Sequence, residues 1–313
     1  MKSQVFGLRV AGTVFALVCL GHLLRIITHV DVLIAGQQIP VWVNAAGVLY
    51  GCGDCQPVRM TLGRQLVESK AREVCAPHPS ALFPRETTDL LSSIAAVPVI
   101  AVGPPNGATS LEQIVAAMEE KRRSLGIERW TIWGMSGGSF LGQLYAQMYP
   151  SAVTGLILAS SGPYFRTTVE DPDSILSPRN PAWSSKLSAA GLLEGEYETG
   201  PTVWETVAGV GWVFRRASGA ALVVSPEEPS VELQAIMPAL WAYDARPWLG
   251  TVAMPTLVMC GTADPVVPLR HAETLAALMP NARFIAIDGA GHIPLTDHRV
   301  EVEGEVRAFL RSL

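Results

Sequence analysis

The stretch WTIWGMSGG at residues 130–138 decides the fold of this 313-residue chain. It opens with β-branched and aromatic residues, which favour a strand, and a helical pattern follows from Gly137 to Met148, closed by Pro150. Between the two lies a Gly-x-Ser-x-Gly sequence centred on Ser136. A sharp turn between a strand and a helix pushes a serine hydroxyl out above the sheet. We therefore predict that Ser136 stands at such a turn.

The glycines on both sides of Ser136 fit the steric demands of this turn. A strained, crowded turn leaves no room for a Cβ atom beside the neighbouring strand and helix. The alternative interpretation is an ordinary glycine-rich turn in which Ser136 caps the helix. The strand on one side and the helix on the other favour the strained turn.

Strands and helices alternate on both sides of this stretch. The other strand candidates are short β-branched runs, which are typical of strands buried on both faces. Successive units of strand, helix and strand predict a parallel sheet with right-handed crossovers. The other predicted strands cover residues 98–102, 153–159, 255–260 and 283–287, and the other predicted helices cover residues 110–125, 269–279 and 300–313.

The alternation breaks between residues 163 and 250. Several pieces of this proline-rich segment have helical patterns, so we predict a mostly helical insertion, a lid, within one α/β domain. Its tryptophans fit either an apolar substrate pocket or the lid's own core. They are Trp183, Trp204, Trp212, Trp241 and Trp248.

A carboxylate and a histidine follow two later strands. Asp264 lies in the loop after residues 255–260, and His292 lies in the loop after residues 283–287. Parallel sheets gather functional residues at the carboxyl ends of their strands. A serine nucleophile needs a histidine base that is itself oriented by a carboxylate. We predict Ser136 as the nucleophile, Asp264 as the acid and His292 as the base, in the chain order expected for such a sheet.

Four other residues compete for the acid and base roles. Asp288 falls at a strand end and is expected to form a turn, and Asp244 lies in the predicted lid. His271 is expected to be a solvated helix residue, and His298 is expected to be a cap or surface residue. None of these residues follows a strand in the required order, so they are not assigned to the site.

Three motifs carry a family resemblance. GMSGGS at residues 134–139, CGTADPVVP at 260–268 and GAGHIPL at 289–295 resemble the nucleophile, acid and histidine motifs of the α/β-hydrolase superfamily. They are most similar to its lid-bearing branch of esterases, lactonases and prolyl aminopeptidases. The resemblance implies an α/β-hydrolase sheet, mostly parallel, under a helical lid. It also implies the triad roles given above and neither a metal ion nor an organic cofactor.

The oxyanion hole is the part of the predicted site that departs from the family. Such a site needs two backbone N–H donors, and the N–H of Gly137 is the predicted first one. In the family the second donor usually lies in a loop that opens with His-Gly. That pair is missing from VCAPHPSA at residues 74–81, where the loop is expected. Pro79 has no N–H, which leaves Ser80 or Ala81 as the second donor.

The front of the chain is its most apolar part. Residues 10–28 are nearly all apolar and follow a basic start with Lys2 and Arg9. The whole chain is 49% hydrophobic and only 16% charged, against about 25% charged in average soluble domains. A membrane-spanning helix, a signal peptide and a buried helix all fit residues 10–28. Membrane association through this stretch and a cytoplasmic location are both left open.

The charge balance excludes one class of partner. The chain has 28 acidic residues against 23 Lys and Arg, a net charge of −5, and no basic block. Nucleic acid binding requires a concentrated positive surface, so it is not expected here. The expected partner is a small-molecule acyl substrate.

Three cysteines and a histidine have spacings that resemble a zinc ribbon. Cys52 and Cys55 form one pair, and Cys75 with His78 forms the other. A Cys52–Cys55 redox pair and three unrelated thiols are the alternatives. Since no strand or hairpin pattern frames both pairs, as a ribbon requires, we predict no metal site.

The sequence as a whole predicts five segments and one main activity. The segments are an apolar N-terminal segment 1–30, a divergent region 31–90, the hydrolase core at 91–162 and 251–313, and the helical lid at 163–250. The predicted activity is hydrolysis of a small ester, lactone or related acyl substrate through an acyl-enzyme. One alternative is a non-catalytic or crippled hydrolase-fold binding protein at a membrane. Another is a carbon–carbon bond hydrolase or cofactor-free perhydrolase, because fold and triad do not fix the substrate.

Overall fold

The chain divides into two units, Met1–Glu68 and Ser69–Leu313. The computed structural model describes residues 33–34, 37–38, 73–77, 85–193, 202–216 and 219–313. In the first unit, β1 (Leu33–Ile34) pairs with β2 (Gln37–Gln38) in antiparallel orientation. No helix within the described ranges is both long and apolar enough to cross a bilayer. The predicted apolar stretch 10–28 lies outside these ranges, so its membrane association stays a prediction.

The second unit is built on a sheet of six parallel strands. The strands of this unit are β3 (Val74–Pro77), β4 (Val99–Val102), β5 (Trp130–Met135), β6 (Val153–Ala159), β7 (Thr202–Val207), β8 (Gly211–Arg216), β9 (Ala221–Ser225), β10 (Thr256–Gly261) and β11 (Ala282–Ile287). The order across the six-stranded sheet is β11-β10-β6-β5-β3-β4, and every neighbouring pair is parallel, which confirms the predicted mostly parallel sheet.

Strand β3 lies inside the region 31–90 that the sequence set apart as divergent. It pairs with β5 on one side and with β4 on the other, and all four of its residues are buried. The strand is short, ends at Pro77 and is soon followed by Pro79. Because proline is uncommon within strands, the sequence shows no clear strand pattern here. Residues 74–77 therefore belong to the core sheet, and the rest of the five-segment division stays a prediction.

Helices cover both faces of the sheet. Neighbouring strand residues point to opposite faces, so Ile132 of β5 packs into one apolar cluster and Trp133 into the other. The helices are α1 (Arg85–Ala95), α2 (Leu111–Ser124), α3 (Gly137–Met148), α4 (Phe165–Glu170), α5 (Ser184–Ala189), α6 (Val231–Ala242), α7 (Leu269–Leu278), α8 (Pro294–Asp297) and α9 (Arg299–Ser312). The first cluster includes residues of α2, α3 and α7, and the second includes residues of α1 and α9.

A buried carboxylate, Glu119, links α2 to α3. Glu119 of α2 is only 5% exposed. Its carboxylate accepts hydrogen bonds from Arg122 at 2.7 and 2.8 Å and from the Tyr145 hydroxyl at 2.7 Å. The hydrogen bond from Arg122 is the main reason why the pKa of Glu119 falls to about 2, although burial opposes it. Glu119 is therefore charged at neutral pH and anchors α3, the helix that begins directly after Ser136.

The insertion between β6 and β10 contains helices, as predicted, and also a sheet that the sequence analysis missed. Strands β7, β8 and β9 form a three-stranded antiparallel sheet in that order, alongside α4, α5 and α6. The hairpin between β7 and β8 turns at Gly209, whose φ is +74°. Glycine adopts this conformation without a steric penalty. The lid is thus a mixed structure and not purely helical.

Three side chains tie the lid to the core, and we call them the latch: Asp171, Arg270 and His271. The Asp171 carboxylate of the lid accepts a hydrogen bond from Arg270 and lies 2.6 Å from Nε2 of His271, both on α7. His271 is only 9% exposed, so the prediction that it is solvated is wrong. Its position on the helix suggested a surface residue, but the lid covers that surface.

Candidate active site

Ser136 stands at the strained turn between β5 and α3. Its φ of 51° and ψ of −121° lie outside the regions that non-glycine residues favour. A Cβ atom on Gly134 would lie 2.4 Å from the Gly138 carbonyl oxygen, and one on Gly138 would lie 2.3 Å from the Pro77 carbonyl oxygen. Neither contact is sterically possible. Both glycines are therefore required by the close packing of α3 against β5 and β3.

The structure brings the three predicted triad residues together. The Ser136 Oγ lies 3.0 Å from Nε2 of His292. On the other side of the imidazole ring, Nδ1 lies 2.9 Å from Oδ2 and 3.0 Å from Oδ1 of Asp264. These three residues come from loops after three different strands. They form one continuous hydrogen-bonded series from hydroxyl to carboxylate.

The Asp264 side chain is held firmly in its loop. It has no solvent-exposed surface, and its Oδ1 accepts the backbone N–H groups of Val266 at 2.8 Å and Val267 at 2.9 Å. A Cβ on Gly261 would lie 2.1 Å from the Ala290 carbonyl oxygen, so the acid loop packs directly against the histidine loop. This packing leaves the carboxylate one orientation, toward His292.

An apolar cavity of about 430 Å³ opens beside Ser136. The core supplies its floor, and the lid supplies most of its walls from α4, β7, β9 and α6. A cavity of this size and character is typical of small-molecule sites. Core residues in the lining include Met135 and Phe140, and lid residues include Phe165, Trp204 and Met237.

Sequence reasoning missed Ser160 and Thr168, which also line the cavity. Ser160 follows β6 directly. Because the carboxyl ends of parallel strands meet at one edge of the sheet, its place after the VTGLILA run was the available indication. Thr168 lies on α4 of the lid, and no motif pointed to it.

The predicted oxyanion donor Gly137 is the first residue of α3. The opening N–H groups of a helix have no acceptor within the helix, so this donor is available beside Ser136. The predicted second donor, Ser80 or Ala81, lies outside the described residues. Strand β3 does end in contact with α3, since the Pro77 carbonyl meets the space beside Gly138.

The competing residues take other partners. Asp288 accepts a hydrogen bond of 3.3 Å from Thr262, and Asp244 pairs with Arg246 at 2.6 Å. His271 belongs to the latch, and His298 is the residue that precedes α9. Within the described part of the chain, none of the four is hydrogen-bonded to a member of the triad.

Cys75 lies inside the sheet and not at a surface loop. It is completely buried in β3, and this burial raises the pKa of its thiol well above the ordinary value. A cysteine that binds zinc must be a thiolate, so this environment disfavours metal binding by Cys75. The described residues contain no group of three or more metal-binding side chains. Cys52, Cys55 and His78 lie outside them.

The parallel sheet, the strained serine turn and the order of the three loops define the class of protein as an α/β hydrolase. Comparison with known families agrees with this assignment. The chain belongs to the family described as the alpha/beta hydrolase fold, whose model matches residues 96–192 and 227–299, more than half of the chain.

Three other proteins are similar in sequence to parts of this chain. A pimeloyl-[acyl-carrier protein] methyl ester esterase of Edwardsiella ictaluri is 29% identical over 184 residues, which cover 59% of this chain and 70% of the esterase. A probable proline iminopeptidase of Streptomyces coelicolor is 53% identical over 45 residues, and a polyketide synthase of Burkholderia thailandensis is 47% identical over 72 residues. These shorter matches cover only 14% and 4% of those proteins.

A solved structure supports the fold independently. An alpha/beta fold family hydrolase from Bacillus anthracis superposes with a TM-score of 0.57 at 17% identity. The match covers 76% of this chain and 91% of that protein. At this level of identity the likeness shows the fold. Together, the family model and this superposition show that the chain has the α/β-hydrolase fold.

Proposed function

We propose that this protein is a serine hydrolase that cleaves a small ester, lactone or related acyl compound through an acyl-enzyme. One observation carries the proposal. The hydrogen-bonded series from Ser136 through His292 to Asp264 lies beside an apolar cavity that is large enough for a substrate. A nucleophile, a base and an orienting acid in this geometry are the requirements of nucleophilic acyl transfer.

In the first half of the reaction Ser136 is acylated. The Nε2 atom of His292 takes the hydroxyl proton while Oγ attacks the carbonyl carbon. Asp264 accepts the hydrogen bond from Nδ1, which leaves Nε2 free as the acceptor, and then stabilises the imidazolium. The bond from the carbonyl carbon to the alcohol oxygen breaks, and the alcohol leaves with the proton from His292.

Water releases the acyl group in the second half. His292 takes a proton from the water molecule, and the water oxygen attacks the acyl carbon. The bond to the Ser136 Oγ breaks, and Ser136 recovers the proton from the imidazolium. The products are the free acid, the alcohol and the unchanged enzyme, so the ester and one water molecule are the only reactants.

The N–H of Gly137 is the proposed donor to the oxyanion that forms in both halves. It follows Ser136 directly and opens α3, so the positive end of the helix dipole also faces the developing charge. The predicted second donor, Ser80 or Ala81, lies outside the described residues. Removal of one such donor typically costs about a hundred- to a thousandfold in rate.

An ester is the substrate class with the most support. The cavity walls are mainly apolar, which suits the acid part of a carboxylic ester. The pimeloyl-[acyl-carrier protein] methyl ester esterase among the relatives acts on an ester, and its match extends over most of its length. We therefore place a carboxylic ester first, before a lactone.

Covalent labelling tests the proposal most directly. We expect a fluorophosphonate probe to label the wild-type protein and not the Ser136→Ala variant. Turnover of a panel of short- and medium-chain esters should fall by roughly 10⁴-fold or more in Ser136→Ala and in His292→Ala. The measurements are in-gel fluorescence of the probe and initial rates of ester hydrolysis.

Two matched variants serve as controls. His298→Ala and Asp288→Asn alter a histidine and an aspartate close in sequence to His292 but outside the triad. Both should keep labelling and turnover near the wild-type level. Undiminished labelling of Ser136→Ala, or equal losses in the control variants, would contradict the proposed roles.

A further inference from the structure

We propose that Gln143 is a positioning residue that fixes the lid over the nucleophile helix α3 and thereby sets the affinity of the site for longer acyl chains. This inference rests on the proposed ester hydrolase function and deepens it. Gln143 is not among the residues that line the cavity. It acts through the two segments of the lid that it binds, and it adds no chemical step.

The lid leaves the core and returns to it through two short segments, residues 162–165 and 243–246, which we call the neck. The two segments pair in antiparallel orientation. The N–H of Phe165 donates to the Tyr243 carbonyl oxygen at 3.3 Å, and the N–H of Ala245 donates to the Pro163 carbonyl oxygen at 2.9 Å. These bonds join the segments to each other. A separate contact has to hold the neck against α3.

Gln143 of α3 makes such a contact with both segments of the neck. Its Nε2 donates to the Gly162 carbonyl oxygen at 3.1 Å, and its Oε1 accepts the Tyr243 hydroxyl at 3.2 Å. Gln143 is fully buried, and Tyr243 is only 8% exposed. A buried polar network with all of its members bonded holds its parts in one arrangement. One side chain therefore ties the entry and the exit of the lid to the same helix.

The two partners require the amide of Gln143. A carbonyl oxygen only accepts hydrogen bonds, so the NH₂ group must face Gly162 and the amide oxygen must face Tyr243. Burial raises the pKa of Tyr243 well above its ordinary value, so its hydroxyl keeps the proton that it donates. A carboxylate in place of the amide has no N–H to donate, and a thioether has none either.

The neck is also in contact with the cavity. Phe140 lies three residues before Gln143 on the same face of α3. Its ring lies 5.9 Å from that of Phe165 and 5.1 Å from that of Tyr243, between centroids. Both Phe140 and Phe165 line the cavity beside Ser136. A shift of the neck therefore moves a wall of the cavity relative to the nucleophile.

A movement of this wall affects long acyl chains more than short ones. The lid supplies most of the cavity walls. An octanoyl chain extends along them, and each methylene group that is buried there contributes to binding. An acetyl group has only one methyl group to place beside Ser136. Loss of the contact at the neck should therefore raise KM for the long ester, whereas kcat depends on the triad, which the packing of the core glycines holds.

Gln143→Met, which keeps the length of the side chain and removes both polar groups, tests the inference. We expect KM for p-nitrophenyl octanoate to rise by roughly tenfold. The KM for p-nitrophenyl acetate and the kcat for both esters should stay within about twofold of wild type. Titration calorimetry of methyl octanoate with the Ser136→Ala protein needs no hydrolysis. Adding Gln143→Met there should weaken binding by roughly tenfold.

Gln147→Met is the matched control. It makes the same chemical change one turn later on α3, where the side chain is exposed. It should change neither KM nor the binding constant.

Tyr243→Phe is a second test, and it removes a single oxygen atom. It should raise KM for the octanoate ester by roughly threefold and should raise it no further in the Gln143→Met background, because groups in direct contact act non-additively. This variant also decides the question if Gln143→Met does not fold.

Three results would overturn the inference. They are unchanged binding of methyl octanoate in the Gln143→Met and Tyr243→Phe variants, an equal rise of KM for both esters, and a loss confined to kcat. The second result would assign Gln143 a purely structural role. Failure of the hydrolase function itself would appear elsewhere, as a lack of fluorophosphonate labelling at Ser136, and the calorimetry would still decide the role of Gln143.

Discussion

The core and the lid of this molecule hold their shapes in different ways. In the core, backbone packing without spare room fixes the elements, as the contacts at Gly134, Gly138 and Gly261 show. The lid is attached to the core through hydrogen bonds, which include those of the latch, and through side chains such as Phe165 and Ile236 that pack into the first core cluster. Reacting atoms require placement within fractions of an ångström, whereas a cover over a substrate must open. The two kinds of attachment match these two tasks.

The lid also has an apolar core of its own. Leu187 of α5 packs with Val210, Val213 and Val224 in a cluster separate from the two clusters that flank the main sheet. Part of the lid therefore packs on itself, while other lid side chains, such as Phe165 and Ile236, pack into the first core cluster. We therefore expect substitutions at the lid attachment to affect substrate capture more than the free energy of unfolding of the core.

The largest expected effect comes from Gly138→Ala in the core. The new Cβ would overlap the Pro77 carbonyl oxygen at 2.3 Å, and because that oxygen belongs to the backbone, β3 and α3 must move apart. We expect a loss of about 3 kcal/mol in the free energy of unfolding. Displacement of Ser136 should lower kcat by roughly a hundredfold. Urea denaturation and ester kinetics measure the two effects.

Gly142→Ala on the same helix is the control for this substitution. A Cβ there would lie 3.1 Å from Cγ2 of Ile132 and 3.4 Å from Cδ2 of Leu158, which are ends of side chains that can shift. The expected losses in the free energy of unfolding and in kcat are clearly smaller than those of Gly138→Ala. Equal losses in the two variants would show that backbone contact with β3 is not what positions the turn.

A smaller effect is expected from Asp171→Asn at the lid attachment. The variant removes the negative charge that pairs with Arg270 and faces His271. We expect kcat/KM to fall by roughly tenfold, mainly through KM, because one buried partner is lost and the lid opens more often. Limited proteolysis should cut the lid faster, while the urea midpoint of the core changes little.

The latch should also respond to pH. Burial lowers the pKa of His271 below its ordinary value of 6.5, against the opposing effect of Asp171. A histidine with a lowered pKa in the folded state stabilises that state above its ordinary pKa, and this contribution is lost as the pH falls. Lid proteolysis should therefore accelerate below about pH 6.5.

Asp244→Asn is the control for Asp171→Asn. It removes an ion pair within the lid and should not change proteolysis at neutral pH.

The smallest expected effect has the opposite sign. Gly304 lies in the interior of α9, and a Cβ there would meet nothing within 4 Å. Gly304→Ala should stabilise the core by about 0.5–1 kcal/mol, because alanine loses less backbone entropy in a helix. Activity should not change. Gly107→Ala also has open space, but its φ is +74°, so that variant should lose about 1 kcal/mol.

Most of the core could be predicted from the sequence because its signals are local. Strand β6 was predicted with its observed bounds, 153–159, and α3 with its bounds, 137–148. Strands buried on both faces are mainly apolar, and the residue after each predicted core strand is glycine or polar. The positions of Ser136, Asp264 and His292 follow from these strands, so their meeting could be expected from topology alone.

The lid and its attachment could not be predicted in the same way. The prediction of a helical lid missed β7 to β9, since short antiparallel strands with one exposed face give a weak pattern. The burial of His271 depends on Asp171, a hundred residues earlier in the chain. The cavity residues Ser160 and Thr168 come together only through tertiary packing, and no local pattern reports that.

One loop carries both the triad acid and part of the lid attachment. Oδ1 of Asp264 accepts the N–H of Val266, while the Val266 carbonyl oxygen accepts the Ser174 hydroxyl of the lid at 2.7 Å. The preceding carbonyl, of Pro265, accepts the N–H of Ile175 at 2.8 Å. A lid that swings away takes two hydrogen bonds from the loop that orients the imidazole. Opening of the lid would therefore loosen the loop of Asp264 and, with it, the orientation of His292.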